Sequence, residues 1–182
     1  MMMAVDTYLM HDYEFSLRIS AADLSYIAND RLFESNILRV RALASLRLFE
    51  DDLEEVDEAF YSTTFQYLTT AIACFENALE IYKAYRSKHV SEKNNYGIGL
   101  SAYSLGYVYR NYAEHLCVQG RFAPHCRQLD RKYLQKSTEA CQQEALKYFK
   151  EAYTHFKPVH HLLGLHMSKQ HEAELRSVEL FA

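Results

Sequence analysis

Hydrophobic side chains recur every three to four residues along most of this chain, the spacing that places them on one face of an α-helix. The clearest run spans 54–86, with the inner positions Val56, Phe60, Thr63, Tyr67, Ala71, Phe75, Ala78, Tyr82 and Tyr85. A second run spans 127–156, with the inner positions Leu129, Tyr133, Ser137, Cys141, Ala145, Phe149, Ala152 and Phe156. Both exceed the usual helix length of about 11–12 residues. The pattern predicts long, packed helices.

A third helix is predicted over 96–118, around the segment IGLSAYSLGYVY. Gly106 shares a helical face there with Ala102, Leu105 and Tyr109, and a residue without a Cβ lets a partner helix approach closely. Two other stretches have small–large–small spacing suited to that partner, Ala71-x3-Phe75-x2-Ala78 and Ala145-x3-Phe149-x2-Ala152. We therefore predict that Gly106 marks a tight helix crossing.

The N-terminal part of the chain has a mixed pattern. Residues 13–19 alternate between apolar and polar side chains, a period of two that is typical of a half-buried strand. Two interpretations stay open, an extended arm or part of the first helix. Ser20, with Asp23 in the following turn, resembles a helix N-cap. From there apolar positions keep helical spacing as far as Phe49, with a predicted break at 29–30.

Polar and proline-containing segments divide the remainder of the chain. Residues 87–95 are polar and end in asparagines suited to capping, so they form a predicted connector. Pro158 separates the last predicted helix from the one before it. The inward positions predicted for that last helix are Val159, Leu163, Met167 and Val178.

Together these segments predict an all-α fold, an antiparallel bundle or repeat of five to six helices. We expect 1–182 to form a single domain, because a chain of this length can bury a substantial core. Its predicted parts are an arm or first helix over 1–19, a helical hairpin over 20–86, a second hairpin over 95–157 and a capping helix over 159–180.

The motifs in these helices resemble the tetratricopeptide repeat. In that family the first helix of a pair carries Leu-Gly-x-x-Tyr, matched here by Leu105-Gly106-x-x-Tyr109. The second helix carries Ala-x3-Phe-x2-Ala, matched twice by the stretches quoted above. Leu163-Gly164-x-x-Met167 is a looser copy of the first motif at the place of a terminal capping helix. The resemblance covers about residues 65–170 and implies helix-turn-helix packing with a concave binding groove.

By this resemblance, the groove positions on the helix over 96–118 are Leu100, Tyr103, Tyr107, Arg110 and Asn111. Tyrosines suit an interface because they combine a large apolar surface with a polar tip, and Arg110 can bind a carboxylate through two hydrogen bonds. Family members that clamp a chaperone's C-terminal carboxylate have Lys and Asn where Tyr103 and Tyr107 stand, which argues against that ligand. In the alternative interpretation both tyrosines belong to the core.

Composition and charge exclude several classes of partner. The net charge is −4 and the pI is about 6.1, so there is no global attraction for nucleic acid or an anionic membrane. No segment approaches 18 uninterrupted apolar residues, and the N-terminus lacks the features of a signal peptide. The acidic segment 50–58 and a basic set are each interpreted as a solvated surface or a docking site. The basic set is Arg110, Arg121, Arg127, Arg131, Lys132 and Lys136.

Candidate chemistry is sparse. The four cysteines show no C-x-x-C pair, which favours reduced thiols and a cytoplasmic location. No Glu-x-x-His pair occurs, no two histidines stand three or four residues apart, and phosphate-loop and G-x-S-x-G motifs are absent. A zinc site from His115, Cys117, His125 and Cys126 is a minor alternative. We therefore predict no catalytic residues, no metal and no cofactor.

The sequence favours a non-catalytic protein–protein interaction module, an adaptor or chaperone-like protein that binds a peptide or helix in its groove. The alternative is a structural subunit whose apolar faces are used in a homo-oligomer or larger complex.

Overall fold

The computed structural model describes residues 8–26, 30–53, 61–88, 92–119 and 138–179. Within these ranges there is no strand, and six helices follow one another along the chain. They are α1 (Tyr13–Tyr26), α2 (Arg31–Leu53), α3 (Tyr61–Lys88), α4 (Glu92–Gln119), α5 (Thr138–Phe156) and α6 (Leu162–Glu179). The predicted all-α fold is confirmed.

The helices pack mainly against their neighbours in the chain. The most extensive contacts join α4 to α5 and α2 to α3, and smaller ones join α3 to α4, α1 to α2 and α5 to α6. A minor contact also joins α4 to α6. Because α4 touches α3, α5 and α6, it is the central helix of this arrangement.

The buried apolar residues of α2 to α6 form one continuous core. Both predicted small–large–small stretches lie in it, since Ala71, Phe75, Ala78, Ala145, Phe149 and Ala152 have no exposed surface. The largest fully buried side chains include Tyr109 and Tyr112 of α4. Aromatic rings thus supply the bulk of the core, and alanines let the helices that carry them approach.

Glycines in the described helices lie beneath aromatic rings of neighbouring helices. A Cβ on Gly106 would stand 2.8 Å from two ring carbons of Phe149 in α5, so the predicted tight crossing is confirmed. A Cβ on Gly97 would stand 2.6 Å from the ring of Tyr82 in α3. Real Cβ atoms do not approach rings so closely, so α4 can pack at these distances only because it carries glycine there.

Phe156, at the end of α5, is held between two glycines. A Cβ on Gly99 of α4 would meet the Cδ1 and Cε1 edge of the ring at 2.7 Å, and one on Gly164 of α6 would meet the Cδ2 and Cε2 edge at 2.6 Å. One buried ring therefore sets the distances of both α4 and α6 from the end of α5.

Aspartates cap the first two helices. Asp12 Oδ1 accepts a hydrogen bond from the backbone N of Phe15 at 3.1 Å, and Asp30 Oδ1 accepts from the backbone N of Leu32 and Phe33, each at 3.1 Å. The break between helices that was predicted at 29–30 agrees with the start of α2 at Arg31. The N-cap predicted at Ser20 is wrong, because Ser20 is buried inside α1 and its Oγ donates to the carbonyl of Leu17.

Residues 13–19 belong to α1, so this stretch is helical despite its period of two. Among the α1 side chains whose burial is described, Ser16 and Ser20 are buried, while Phe15 is partly exposed. The alternation of apolar and polar residues therefore does not mark the buried face, since both of these buried residues are small and polar.

The connector predicted over 87–95 is shorter than expected. Helix α3 continues to Lys88 and α4 begins at Glu92. Asn94 and Asn95 are buried in α4 and do not cap it. Asn95 Oδ1 lies 3.1 Å from His155 Nδ1 of α5, and this buried hydrogen bond explains why a polar residue is accommodated inside the helix.

The inward face predicted for the last helix is wrong at its start, whereas Met167 is partly buried and contacts Tyr103. Leu163 is 64% exposed, and Val159 lies in the turn before α6. The buried positions of the helix are Gly164, Ser168, Glu172 and Leu175. Contacts at the start of α6 determine which of its sides faces the core. There His161 Nδ1 accepts a hydrogen bond from the backbone N of Gly164 at 3.0 Å, and Gly164 packs against Phe156.

Several predictions concern residues outside the described ranges or side chains. They are the acidic residues from 54 to 58, the predicted helical positions over 54–60 and 127–137, the basic positions from 121 to 136, the His and Cys side chains of 115–126, and Val178.

Candidate functional site

The residues predicted to line a groove lie along one side of α4 and are all partly exposed: Leu100, Tyr103, Tyr107, Arg110 and Asn111. Three of them reach other helices through their polar ends. Tyr107 reaches α2, and Tyr103 and Arg110 reach α6. The side chains on this α4 face thus connect α4 to both α2 and α6. The two tyrosines are neither fully buried nor fully exposed.

Leu100 and Asn111 lie towards opposite ends of the α4 face. Leu100 packs against the core and remains partly exposed, and Asn111 is also partly exposed. Leu100 supplies an apolar surface and Asn111 an amide. Between them lie the two tyrosines and Arg110, which form hydrogen bonds to other helices.

Tyr103 sits where α4, α5 and α6 meet. Its ring centroid lies 5.8 Å from that of Phe149 in α5, and its Oη lies 3.1 Å from Nε2 of His171 and 3.9 Å from the sulfur of Met167, both in α6. Burial, with a smaller effect from the nearby Tyr107 hydroxyl, raises the pKa of Tyr103 above its ordinary value. The hydroxyl therefore keeps its proton and can donate and accept at once.

Arg110 joins α4 to α6. One of its terminal nitrogens, Nη1, lies 2.5 Å from Oε2 of Glu174 and 2.6 Å from Nδ1 of His171. The pair with Glu174 is only partly screened from solvent, because the two side chains are 26% and 39% exposed. Hydrogen bonds from Gln170 and Arg110 lower the pKa of Glu174, so the carboxylate remains ionised at neutral pH.

His171 is less exposed than Arg110 and Glu174, with 13% of its side chain accessible. Its ring stacks on Phe149 with 5.0 Å between centroids and 20° between planes. A guanidinium can only donate hydrogen bonds, so Nδ1 of His171 must accept from Arg110. In this arrangement a neutral ring carries its proton on Nε2, which can donate to the Tyr103 hydroxyl, and that hydroxyl can donate to Met167.

Tyr107 connects the same face to α2. Its Oη donates to Oε1 of Glu50 at 3.2 Å, and Oε2 of Glu50 accepts from Arg47 at 2.6 Å. The ring of Tyr107 lies edge-on to that of His171, with 6.2 Å between centroids. Charged groups from α2 and α6 therefore flank the tyrosines of α4.

The sequence analysis missed the partners His171, Glu174 and Glu50. They lie 57 to 68 residues from the α4 side chains that they contact. One local signal was present, because residues three apart share a helix face and His171 and Glu174 have that spacing. It could not reveal which helix this face contacts.

Two further surface features lie outside the α4 face. The first is an apolar patch where α4 and α6 begin, formed by Tyr96, Leu162 and Leu163, which are 42%, 77% and 64% exposed. The second is an open pocket of about 350 Å³ between α2 and α3, lined by Arg31, Glu80, Ile81, Ala84 and Tyr85.

The described residues contain no group of three or more His, Cys, Asp or Glu side chains arranged to hold a metal ion. Next to His171 and Glu174 stands the cationic Arg110, which opposes a second cation there. In the same part of the chain, no helix has the length and apolar character needed to cross a bilayer.

Comparison with known proteins identified no relative, since no family model, no curated protein and no solved structure matches the chain. The likeness to the tetratricopeptide repeat therefore depends on the motifs quoted above and stays a prediction.

Proposed function

We propose that this protein is a non-catalytic interaction module that binds a peptide or helix of a protein partner along the α4 face. The main supporting observation is the half-exposed row of Tyr103 and Tyr107 between polar groups of α2 and α6. Such a surface offers apolar area at its centre and charged groups at its margins, the usual anatomy of a protein interface.

The local geometry favours a preformed binding surface. Tyr103 and Tyr107 are each held by a hydrogen bond to another helix, so a partner need not order them. Arg110 has 26% of its side chain exposed, which leaves guanidinium surface for a partner carboxylate or carbonyl. A preformed surface of this kind supports the proposed adaptor or chaperone-like role.

The proposal includes a cytoplasmic setting and a protein partner, with no role for nucleic acid. Cys74 and Cys141 are buried cysteines that do not form a disulfide with one another, as expected in a reducing compartment. The net charge of −4 gives no attraction for a polyanion.

A structural subunit is the second candidate function, favoured by the apolar patch at Tyr96, Leu162 and Leu163. Exposed large apolar side chains near one another are typical of an interface, and here the Tyr96 ring packs on His161, the residue before Leu162. Light scattering coupled to size exclusion distinguishes the two proposals. Concentration-dependent dimers that Leu163→Lys abolishes would favour the subunit, and a monomer at all concentrations would favour the interaction module.

The test of the first proposal uses two matched substitutions. Asn111→Lys places a cation on the α4 face, and Asn77→Lys places the same cation at an exposed position of α3. Each variant is used beside the wild-type protein to capture partners from cell extract, which are identified by mass spectrometry. We expect a partner retained by wild type and Asn77→Lys to be lost by about tenfold or more with Asn111→Lys.

Circular dichroism melting of both variants is the control that tests whether each one is folded. A partner that all three proteins retain equally would show that the α4 face is not the binding surface. Leu100→Glu is a second variant on this face and should give the same loss as Asn111→Lys.

A further inference from the structure

The hydrogen bonds around His171 depend on the charge of its ring. Nδ1 accepts from Arg110 at 2.6 Å, which a protonated imidazole cannot do because both of its nitrogens carry hydrogen. Histidine is also the side chain whose charge ordinarily changes between about pH 5 and 8. The contact between α4 and α6 thus contains a group that a change of pH in this range can alter.

We propose that His171 is a proton-controlled latch that holds α6 to α4. In the neutral state Arg110 donates to His171 and to Glu174, and His171 donates to Tyr103, so these three hydrogen bonds join α4 to α6 beside the one from Tyr103 to Met167. This latch concerns the fold itself and does not depend on the proposed partner binding.

Protonation rearranges the group without breaking a covalent bond. The added proton on Nδ1 faces the guanidinium of Arg110, so a hydrogen bond is replaced by the repulsion of two cations. The same N–H can turn towards Oε2 of Glu174, now 3.3 Å away, and compete with Arg110 for that carboxylate. Both changes weaken the link between Arg110 and α6.

The other groups around the ring determine how far the change extends. Phe149 of α5 stacks on it and carries no charge, and Tyr107 of α4 meets it edge-on while bonded to Glu50 of α2. Helix α6 packs mainly on α5 and touches α4 only slightly. We therefore expect protonation to loosen the α4 side of α6 while the core between α4 and α5 remains closed.

The first test is the position of the proton. Long-range ¹H–¹⁵N NMR of histidine-labelled protein at about pH 8, where an ordinary histidine is neutral, reports the tautomer of each ring. We expect His171 to carry its proton on Nε2, and a ring protonated on Nδ1 would overturn the proposal. His171→Gln assigns the signal.

The second test is hydrogen exchange measured between about pH 8 and pH 5, with intrinsic rates corrected. We expect protection in the second half of α6 to fall by roughly threefold or more relative to α5. His171→Gln retains an acceptor for Arg110 and cannot be protonated, so the fall should disappear. His166→Gln changes an exposed histidine of the same helix and should respond like wild type.

Arg110→Gln provides an independent check, since without the cation protonation of His171 is no longer opposed. We expect a smaller pH response in this variant. An equal response in wild type, His171→Gln and Arg110→Gln would assign the pH effect to other groups and overturn the proposal.

Discussion

Gly106 lies directly beneath the ring of Phe149, so close that a Cβ atom would stand 2.8 Å from two ring carbons. Phe149 is fully buried and cannot move aside without disturbing the core. We expect Gly106→Leu to lower the free energy of unfolding by about 1–3 kcal/mol or more, because the added atoms overpack the crossing. Urea denaturation followed by circular dichroism measures the change.

A double-mutant cycle identifies the cause of this loss. Phe149→Leu should cost stability in the wild type but less in a Gly106→Ala background, because the smaller residue makes room for the new Cβ. We expect a coupling free energy of about 0.5–3 kcal/mol. Additive effects of the two substitutions would show that the ring is not what restricts position 106.

Phe156 should be among the costliest residues to truncate. Its ring separates α4 and α6 through contacts with Gly99 and Gly164, and only 1% of it is exposed. We expect Phe156→Ala to lower the free energy of unfolding by about 3–5 kcal/mol. Phe15→Ala is the matched control on a partly exposed ring of α1 and should cost about 1 kcal/mol or less. Equal losses in the two variants would contradict the role of the Phe156 ring in spacing α4 and α6.

Asp30 stabilises the start of α2 through two backbone hydrogen bonds. We expect Asp30→Ala to lower the free energy of unfolding by about 0.5–2 kcal/mol, measured in urea. Asp30→Ser keeps an oxygen acceptor and should retain most of the stability. If serine and alanine are equally destabilising, the cap does not act through these hydrogen bonds.

We expect the protein to lose stability at alkaline pH because the pKa of Tyr109 is raised in the folded state. Burial, followed by the carboxylate of Glu76 that accepts its hydrogen bond at 2.8 Å, raises the pKa of Tyr109 above the ordinary value of 10.0. The folded protein therefore keeps this proton at a pH where the unfolded chain releases it. The stabilisation of the fold by the protonated Tyr109 is therefore complete below about pH 10 and declines as the pH rises further.

The urea concentration at the unfolding midpoint should accordingly be lower at about pH 10.5 than at about pH 8. Tyr109→Phe loses the bond to Glu76 and should be less stable at the lower pH by about 1–3 kcal/mol. Its midpoint should then decline less steeply than that of wild type. A decline as steep as in wild type would assign the alkaline sensitivity to other groups, such as Tyr148, whose pKa is also raised by burial.

Local patterns predicted the fold class and part of the core. The helical spacing of Ala71, Phe75 and Ala78, and of the matching stretch in α5, correctly marked buried faces. Local patterns were less reliable where a single interaction sets the start of a helix. Asp12 starts α1 before the predicted cap at Ser20, and the pair of Asn95 with His155 allows α4 to begin earlier than predicted.

Helical spacing was sufficient to predict long helices and a close helix crossing at Gly106, because both depend on residues one or two turns apart in the same helix. That Phe149 is the residue against the glycine was not predictable from this spacing. Only the tertiary structure decided which side of α6 faces inward and that Arg110 and Tyr103 meet His171. These contacts depend on the position of α6, which Phe156 sets between Gly99 and Gly164. Helical periodicity gives the direction of a side chain on its own helix, but the register between helices arises only when their surfaces pack.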